Sequence, residues 1–215
     1  MTLYKIGSPK SEVVKQIQRA LHLYPDGIYG ILTKEAVEKY QRENGLKVDG
    51  IVGPATLAKL LKQSFSLRKS KRKITEIIIH CSATPEGRDK TIEDIRRDHK
   101  KQGWSDIGYH YVVYRDGSIH NGRDVDLVGA HCAKGGHNQN SIGVCYIGGV
   151  ENKPKVPYYL LKPKDTRTPE QRISLLSLLI DLKRLYPNAK IYGHRDFDSG
   201  KACPSFDAKT EYRKL

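Results

Sequence analysis

The stretch from Gly193 to Asp207, GHRDFDSGKACPSFD, packs a histidine, a lysine and a cysteine into one loop broken by glycine and proline. Imidazole nitrogen and thiolate sulfur are donors that zinc takes readily. His194 and Cys203 make two, and a catalytic zinc needs a third protein ligand while one coordination position stays open for water. The best donor elsewhere is His80, at the end of the apolar run Ile77-Ile78-Ile79. A histidine where a buried strand emerges is rigidly held and faces a cleft. Singly, each residue has a plainer account: a lone histidine is more often structural, and a lone cysteine is more often a small buried hydrophobe. Their combination favours a Zn2+ site.

Such residues need a scaffold, and residues 74–215 read as a domain that supplies one. Ile74-Thr75-Glu76-Ile77-Ile78-Ile79 is rich in β-branched side chains and predicts a central strand leading to His80. Thr91 begins a helix to about Lys101, with Ile92 and Ile95 inward. Tyr109 to Tyr114 reads as a strand that turns at Asp116-Gly117 into Ser118-Ile119-His120, a hairpin. Alternation along that strand sends His110 to the face opposite Tyr109, which leaves His110 out of the site. Ser141 to Ile147 is a further strand, and the Pro- and Lys-rich residues 151–167 are a loop. Thr168-Pro169-Glu170-Gln171 has the signature of a capped helix start, followed by Ile173, Leu176, Leu179, Ile180 and Leu185. Lys190-Ile191-Tyr192 is a last short strand that delivers His194. Strands alternating with helices, with one hairpin among them, predict an α/β fold: a mixed β-sheet flanked by helices.

Residues 1–63 contain a repeat. Asp26-Gly27-Ile28-Tyr29-Gly30 with Thr33 returns as Asp49-Gly50-Ile51-Val52-Gly53 with Thr56. In each copy two glycines supply tight-turn backbone before a helical segment. Ser11 caps a first helix with Val13, Val14, Ile17 and Leu21 on one face; Thr33 caps a second with Ala36, Val37 and Tyr40 inward; Pro54 opens a third with Leu57, Leu60 and Leu61. This predicts a small three-helix domain with nothing catalytic in it. Between the domains, residues 64–73 read as a basic linker.

The formal net charge is +14. Residues 66–73 hold five basic residues and no acid, so charge concentrates in the linker. Such a run is either a solvated tether or a contact for a polyanion such as an anionic cell-wall polymer. Cationic charge alone, without a base-reading motif, does not define a specific nucleic-acid binder. Of four cysteines, at 81, 132, 145 and 203, none forms a Cys-x-x-Cys pair, which argues against a disulfide framework. Cys81 and Cys145 read as buried thiols, and Cys132 as either buried or near the site. The start Met1-Thr2-Leu3-Tyr4-Lys5-Ile6-Gly7 has no apolar core of a signal peptide, and no apolar run reaches the ~20 residues of a membrane helix. The expectation is a monomer made in the cytoplasm, without membrane insertion, that acts after release or by another export route.

The segments Ile79-His80-Cys81-Ser82-Ala83-Thr84, Gly108-Tyr109-His110-Tyr111, Asn140-Ser141-Ile142-Gly143-Val144 and Lys201-Ala202-Cys203-Pro204-Ser205-Phe206 resemble the phage lysozyme-type zinc N-acetylmuramoyl-L-alanine amidases, which are related to the peptidoglycan recognition proteins. The resemblance covers roughly residues 74 to 213. It implies zinc on His80, His194 and Cys203, with Tyr109 and Lys201 as catalytic helpers. A related cytoplasmic branch uses an aspartate as third ligand, and non-catalytic recognition proteins commonly lack the cysteine, so Cys203 favours an active lysozyme-type enzyme over a binding-only protein. The resemblance also places His131 at a position lining the cleft near the metal; we read it as touching substrate or supporting the metal, and Asn138 and Asn140 as hydrogen-bonding candidates for a glycopeptide. Residues 1–63 are similar to the peptidoglycan-binding domains of cell-wall hydrolases. The implied activity is hydrolysis of the N-acetylmuramic acid–L-alanine amide in peptidoglycan, as in an endolysin.

Overall fold

A computed structural model describes residues 3–21, 23–60 and 67–215. Leu61, the linker residues before Leu67 and the Met1-Thr2 start lie outside the described residues. The chain forms two compact units, Met1–Gln63 and Ser64–Leu215.

The first unit holds α1 (Glu12–Ala20), α2 (Ile31–Glu43) and α3 (Pro54–Leu60) around buried Val13, Val14, Ile17, Tyr29, Val37, Val52, Leu57 and Leu60. Ser11 Oγ accepts the Val14 amide at 3.3 Å, as a cap should. Thr33 is not the cap of α2. That helix starts two residues earlier, behind Gly30, and Thr33 is buried inside it. The reason is a side-chain staple that the repeat encodes twice. The Gln18 carboxamide accepts from the Gly27 amide (2.8 Å), and its nitrogen lies 2.7 Å from Asp26 Oδ1, 3.0 Å from the Ile28 carbonyl and 3.1 Å from Thr33 Oγ1. Gln41 repeats each contact with Gly50, Asp49, Ile51 and Thr56. Both glutamines are buried. Gln41→Ala would leave several buried groups without a partner, each lost hydrogen bond costing ~0.5–1.5 kcal/mol. Hydrogen exchange on the intact chain is expected to show loss of protection across α1–α3 with the second unit unchanged; full protection of α2 and α3 would contradict the staple.

The second unit is built on β1 (Glu76–Cys81), β2 (Thr84–Pro85), α4 (Ile92–Lys101), β3 (Tyr111–Val113), β4 (Ile119–Asn121), β5 (Ser141–Tyr146), β6 (Gly149–Val150), α5 (Pro169–Leu185), β7 (Lys190–Gly193) and α6 (Ala208–Glu211). The main sheet runs β4-β3-β5-β1-β7, parallel except for the β3–β4 hairpin, and β2 pairs with β6 beside it. This is the mixed sheet with flanking helices that the sequence predicts. Thr91 and Thr168 both close capping boxes, with Asp94 and Gln171. On α5, however, Leu175, Leu178, Leu179 and Leu182 are buried, and Ile173, Leu176, Ile180 and Leu185 are only partly so. The helix is apolar on most of its circumference, so periodicity alone does not choose the stripe that meets the sheet.

Two apolar layers flank the sheet. Ile77, Ile79 and Cys81 pack under α5 with Tyr111, Val113, Val144 and Tyr146, while Ile92, Ile95, Ile107, Val112, Cys145 and Ile147 form the layer under α4. His80, between Ile79 and Cys81, therefore points to the α4 side.

The solvated-linker expectation is corrected over residues 68–72, which fold onto the second unit. Arg68 grips Asp124 and Asp126 at 2.6 and 2.7 Å. Buried Ser70 donates its amide to the Tyr186 hydroxyl (2.6 Å) and its hydroxyl to the Val125 carbonyl (2.7 Å). The Arg72 guanidinium donates to the carbonyls of Val125, Gln139 and Ser141 at 2.9, 3.2 and 3.0 Å. A run of cations has the same composition whether its partners are water or carbonyls from loops far along the chain.

Candidate metal centre

Three separate segments bring His80, His194 and Cys203 together. His80 is 1% exposed on β1, registered against Cys145 of β5. On the other side of β1, Gly193 ends β7 opposite Ile79, so His194 leaves the sheet beside His80 at the head of a 3-10 turn. The loop to Cys203 folds back on that turn: the Arg195 amide donates to the Cys203 carbonyl (2.8 Å), and the Phe197 and Asp198 amides both donate to the His194 carbonyl (3.1 Å). Beyond Cys203, the Tyr146 hydroxyl holds the Pro204 carbonyl at 2.7 Å and Ser205 Oγ donates to the Gly149 carbonyl at 2.7 Å.

One donor atom from each residue lies within 4.8 Å of the other two. His80 Nδ1 is 3.7 Å from Cys203 Sγ. Nitrogen and sulfur ligands at ordinary zinc distances and a tetrahedral angle stand about 3.6 Å apart. The Cys81 amide points at Cys203 Sγ from 3.2 Å, a donor suited to a thiolate. These residues fit a zinc ion. Burial, followed by the nearness of His131, His194 and His110, holds His80 well below the usual imidazole range, leaving it neutral with a free lone pair. Burial and then the Lys201 charge lower His194, against an opposing pull from Asp198. The hydrogen bond with Cys81 and burial push the Cys203 thiol up, a balance that a bound dication inverts.

The Tyr109 ring lies 5.2 Å from the His80 ring and 5.4 Å from that of His99. Burial, reinforced by Cys145, Cys203 and Cys81, raises its phenol well above the ordinary value, so it is a proton donor near neutral pH. Lys201 is exposed, its amide tied to the Asp198 carbonyl at 2.9 Å. Tyr109 also lines a cleft of about 680 Å³ with Ser82, Ala83, His99, Gln102 and Tyr158.

His131 does not line that cleft. It is 6% exposed and pairs with the buried side of His80. Asn138 accepts the His131 and Cys132 amides on its side-chain oxygen at 2.9 and 2.7 Å, and Asn140 donates to Thr75 Oγ1 at 2.6 Å. These contacts give both half-exposed asparagines loop-closing tasks. Asparagine in a polar loop has the same signature for that task as for contacting a glycopeptide. His110 lies behind the site: its ring packs edge-on to His131 at 5.6 Å, and its Nδ1 accepts the Gly143 amide at 2.9 Å. Because β3 begins at Tyr111, strand alternation does not apply to Tyr109 and His110, and Tyr109 packs against the α4 layer.

Residues 70–206 match the N-acetylmuramoyl-L-alanine amidase family, and residues 10–60 match a peptidoglycan binding domain family. The endolysin of Klebsiella phage KP32 is 42% identical over 144 residues, covering 67% of this chain and 89% of the relative. The endolysin of Escherichia phage T7 is 41% identical over 146 residues, covering 68% and 90%. Among solved structures, the endolysin N-acetylmuramoyl-L-alanine amidase LysCS from Clostridium intestinale URNW superposes with a TM-score of 0.53 at 26% identity, over 71% of this chain and 90% of that one. The chain belongs to the N-acetylmuramoyl-L-alanine amidase family. It is a peptidoglycan amidase of the endolysin kind, carrying an additional peptidoglycan-binding unit.

Proposed function

We propose that the chain cleaves the amide between the lactyl group of N-acetylmuramic acid and L-alanine, with zinc held by His80, His194 and Cys203. The observation that carries this reading is the convergence of those three donors within 4.8 Å beside a cleft lined by Tyr109. When bound, zinc supplies a Lewis acid for the scissile carbonyl and makes water a nucleophile near neutral pH. The peptide limb of the substrate enters the cleft over α4. Tyr109 donates from its phenol toward the reacting oxygens, and Lys201 places a cation where negative charge builds on the carbonyl oxygen.

Residues 1–63 tether the enzyme to the wall, which raises the local concentration of scissile bonds. Among the described basic residues of the interdomain segment, Lys69, Lys71 and Lys73 are exposed, while Arg68 and Arg72 bond to the second unit; contact with anionic wall polymers falls to the three lysines. Described helices include none long and apolar enough to cross a membrane.

Mass spectrometry of products from purified peptidoglycan tests the bond: new L-alanine amino termini on intact glycan support the proposal, whereas reducing sugar ends or cleaved cross-links refute it. A second experiment separates the units. A chain beginning at Ser64, which keeps the Arg68 and Arg72 contacts, is expected to bind zinc and to cleave soluble muropeptides at the full-length rate. On intact sacculi it is expected to be slower. Equal rates on sacculi would remove the wall-tethering role.

A further inference from the structure

Both ring nitrogens of His80 are engaged, in opposite directions. Nδ1 faces Cys203 Sγ at 3.7 Å, and Nε2 lies 3.0 Å from Nδ1 of His131. We infer that His131 is a positioning residue: it accepts the Nε2–H of His80 and so holds Nδ1 of that ligand toward the metal. This rests on the zinc-site reading proposed above.

The tautomers follow from the geometry. An uncharged imidazole that ligates through Nδ1 keeps its proton on Nε2. His131 must then accept on Nδ1 and carry its own proton on Nε2, which lies 3.4 Å from Ser141 Oγ. The hydrogen-bond line therefore runs His80 to His131 to Ser141.

The His131 ring has no room to turn away. A Cβ on Gly143 would sit 2.5 Å from His131 Cδ2, and one on Gly129 would sit 2.4 Å from the same atom. The two glycines thus form a slot that any larger residue would fill. His110 closes a further side, and Asn138 pins the His131 backbone. A metal-ligating histidine usually donates its second N–H to a carboxylate, a carbonyl or water. A neutral imidazole in that place, unlike a carboxylate, adds no negative charge beside the site, so more of a bound ion's positive charge would be left for the substrate carbonyl.

The test is zinc affinity of the purified full-length chain, measured by chelator competition. His131→Leu fills the slot without an acceptor, and His131→Ala leaves a void without one. Each is expected to weaken zinc binding by about 10–100-fold, the usual loss when such a partner is removed. His131→Asn keeps an acceptor oxygen near the position of Nδ1 and is expected to recover most of that loss. A purely structural role predicts the reverse order, with leucine tolerated better than asparagine, and thermal unfolding of the zinc-free proteins monitors that contribution separately. Wild-type affinity in a folded leucine or alanine variant overturns the inference, as does an asparagine variant no better than leucine. If the wild-type chain binds no zinc, the ligand set falls and this inference with it. If wild type binds zinc and the non-accepting variants match it, only the role of His131 falls.

Discussion

Cys203→Ser is expected to take the chain from one zinc per molecule to none and to remove amide hydrolysis with it. A serine hydroxyl does not ionise near neutral pH, so the substitution withdraws the one anionic ligand and leaves two neutral imidazoles to hold the ion. The rate loss should exceed the ~10²–10³ that follows removal of a single transition-state donor, because the Lewis acid itself goes. Cys145→Ala is the matched control. Cys145 is fully buried and pairs across the sheet with His80, yet it belongs to the apolar layer with Ile92, Ile95 and Val112. Its loss should leave zinc intact. Elemental analysis and hydrolysis of a soluble muropeptide read both quantities. Full zinc in the Cys203→Ser protein, or none in the Cys145→Ala protein, would refute the ligand assignment.

What the sequence made legible is what depends on local chemistry. The Ile77-Ile78-Ile79 run, the capping boxes at Thr91 and Thr168, and the Asp116-Gly117 hairpin each need only neighbouring residues, and the structure has all of them. The three donor residues were also readable, since donor type and the surrounding motif travel together. Their closure was not readable, because it depends on β7 lying parallel to β1 and on the Arg195 amide reaching back to Cys203. The Gln18 and Gln41 staples left a usable signal: each glutamine stands eight residues before the aspartate of its Asp-Gly pair. A repeat traced from the aspartate onward omits the glutamine, and Thr33 then has the signature of a cap.

The histidines illustrate the remaining gap. His99, His110 and His131 lie in the buried layer around Tyr109 and His80, whereas His120 stacks on Tyr114 and His137 meets Glu76 and Phe197. Nothing in the local sequence separates these groups, because membership is decided by loops that meet only in the folded chain. Arg72 shows the same effect from the basic segment: its guanidinium reaches the Ser141 carbonyl and lies 3.1 Å from His110 Nε2, behind the histidine layer.

Lys201→Ala is expected to keep a full complement of zinc while lowering turnover about 10²–10³-fold, the loss typical of one electrostatic donor to a transition state. The ammonium stands two residues from Cys203 on a loop held by the Lys201 amide to Asp198 and the Arg195 amide to Cys203, so the backbone that carries the ligand is independent of the lysine side chain. Its charge nevertheless reaches the site, since it helps to lower His194. In the free protein Lys201 is exposed, and water screens a charge there to little effect. On the proposed reading, bound substrate would exclude that water, and the same charge would then act most strongly where the carbonyl oxygen becomes negative. The loss should therefore fall on kcat far more than on KM, and Lys201→Arg should recover part of it by restoring charge without the same reach. Unchanged kcat in Lys201→Ala would make the residue an ordinary surface cation. Loss of zinc in the same variant would instead mean that the lysine supports the ligand loop.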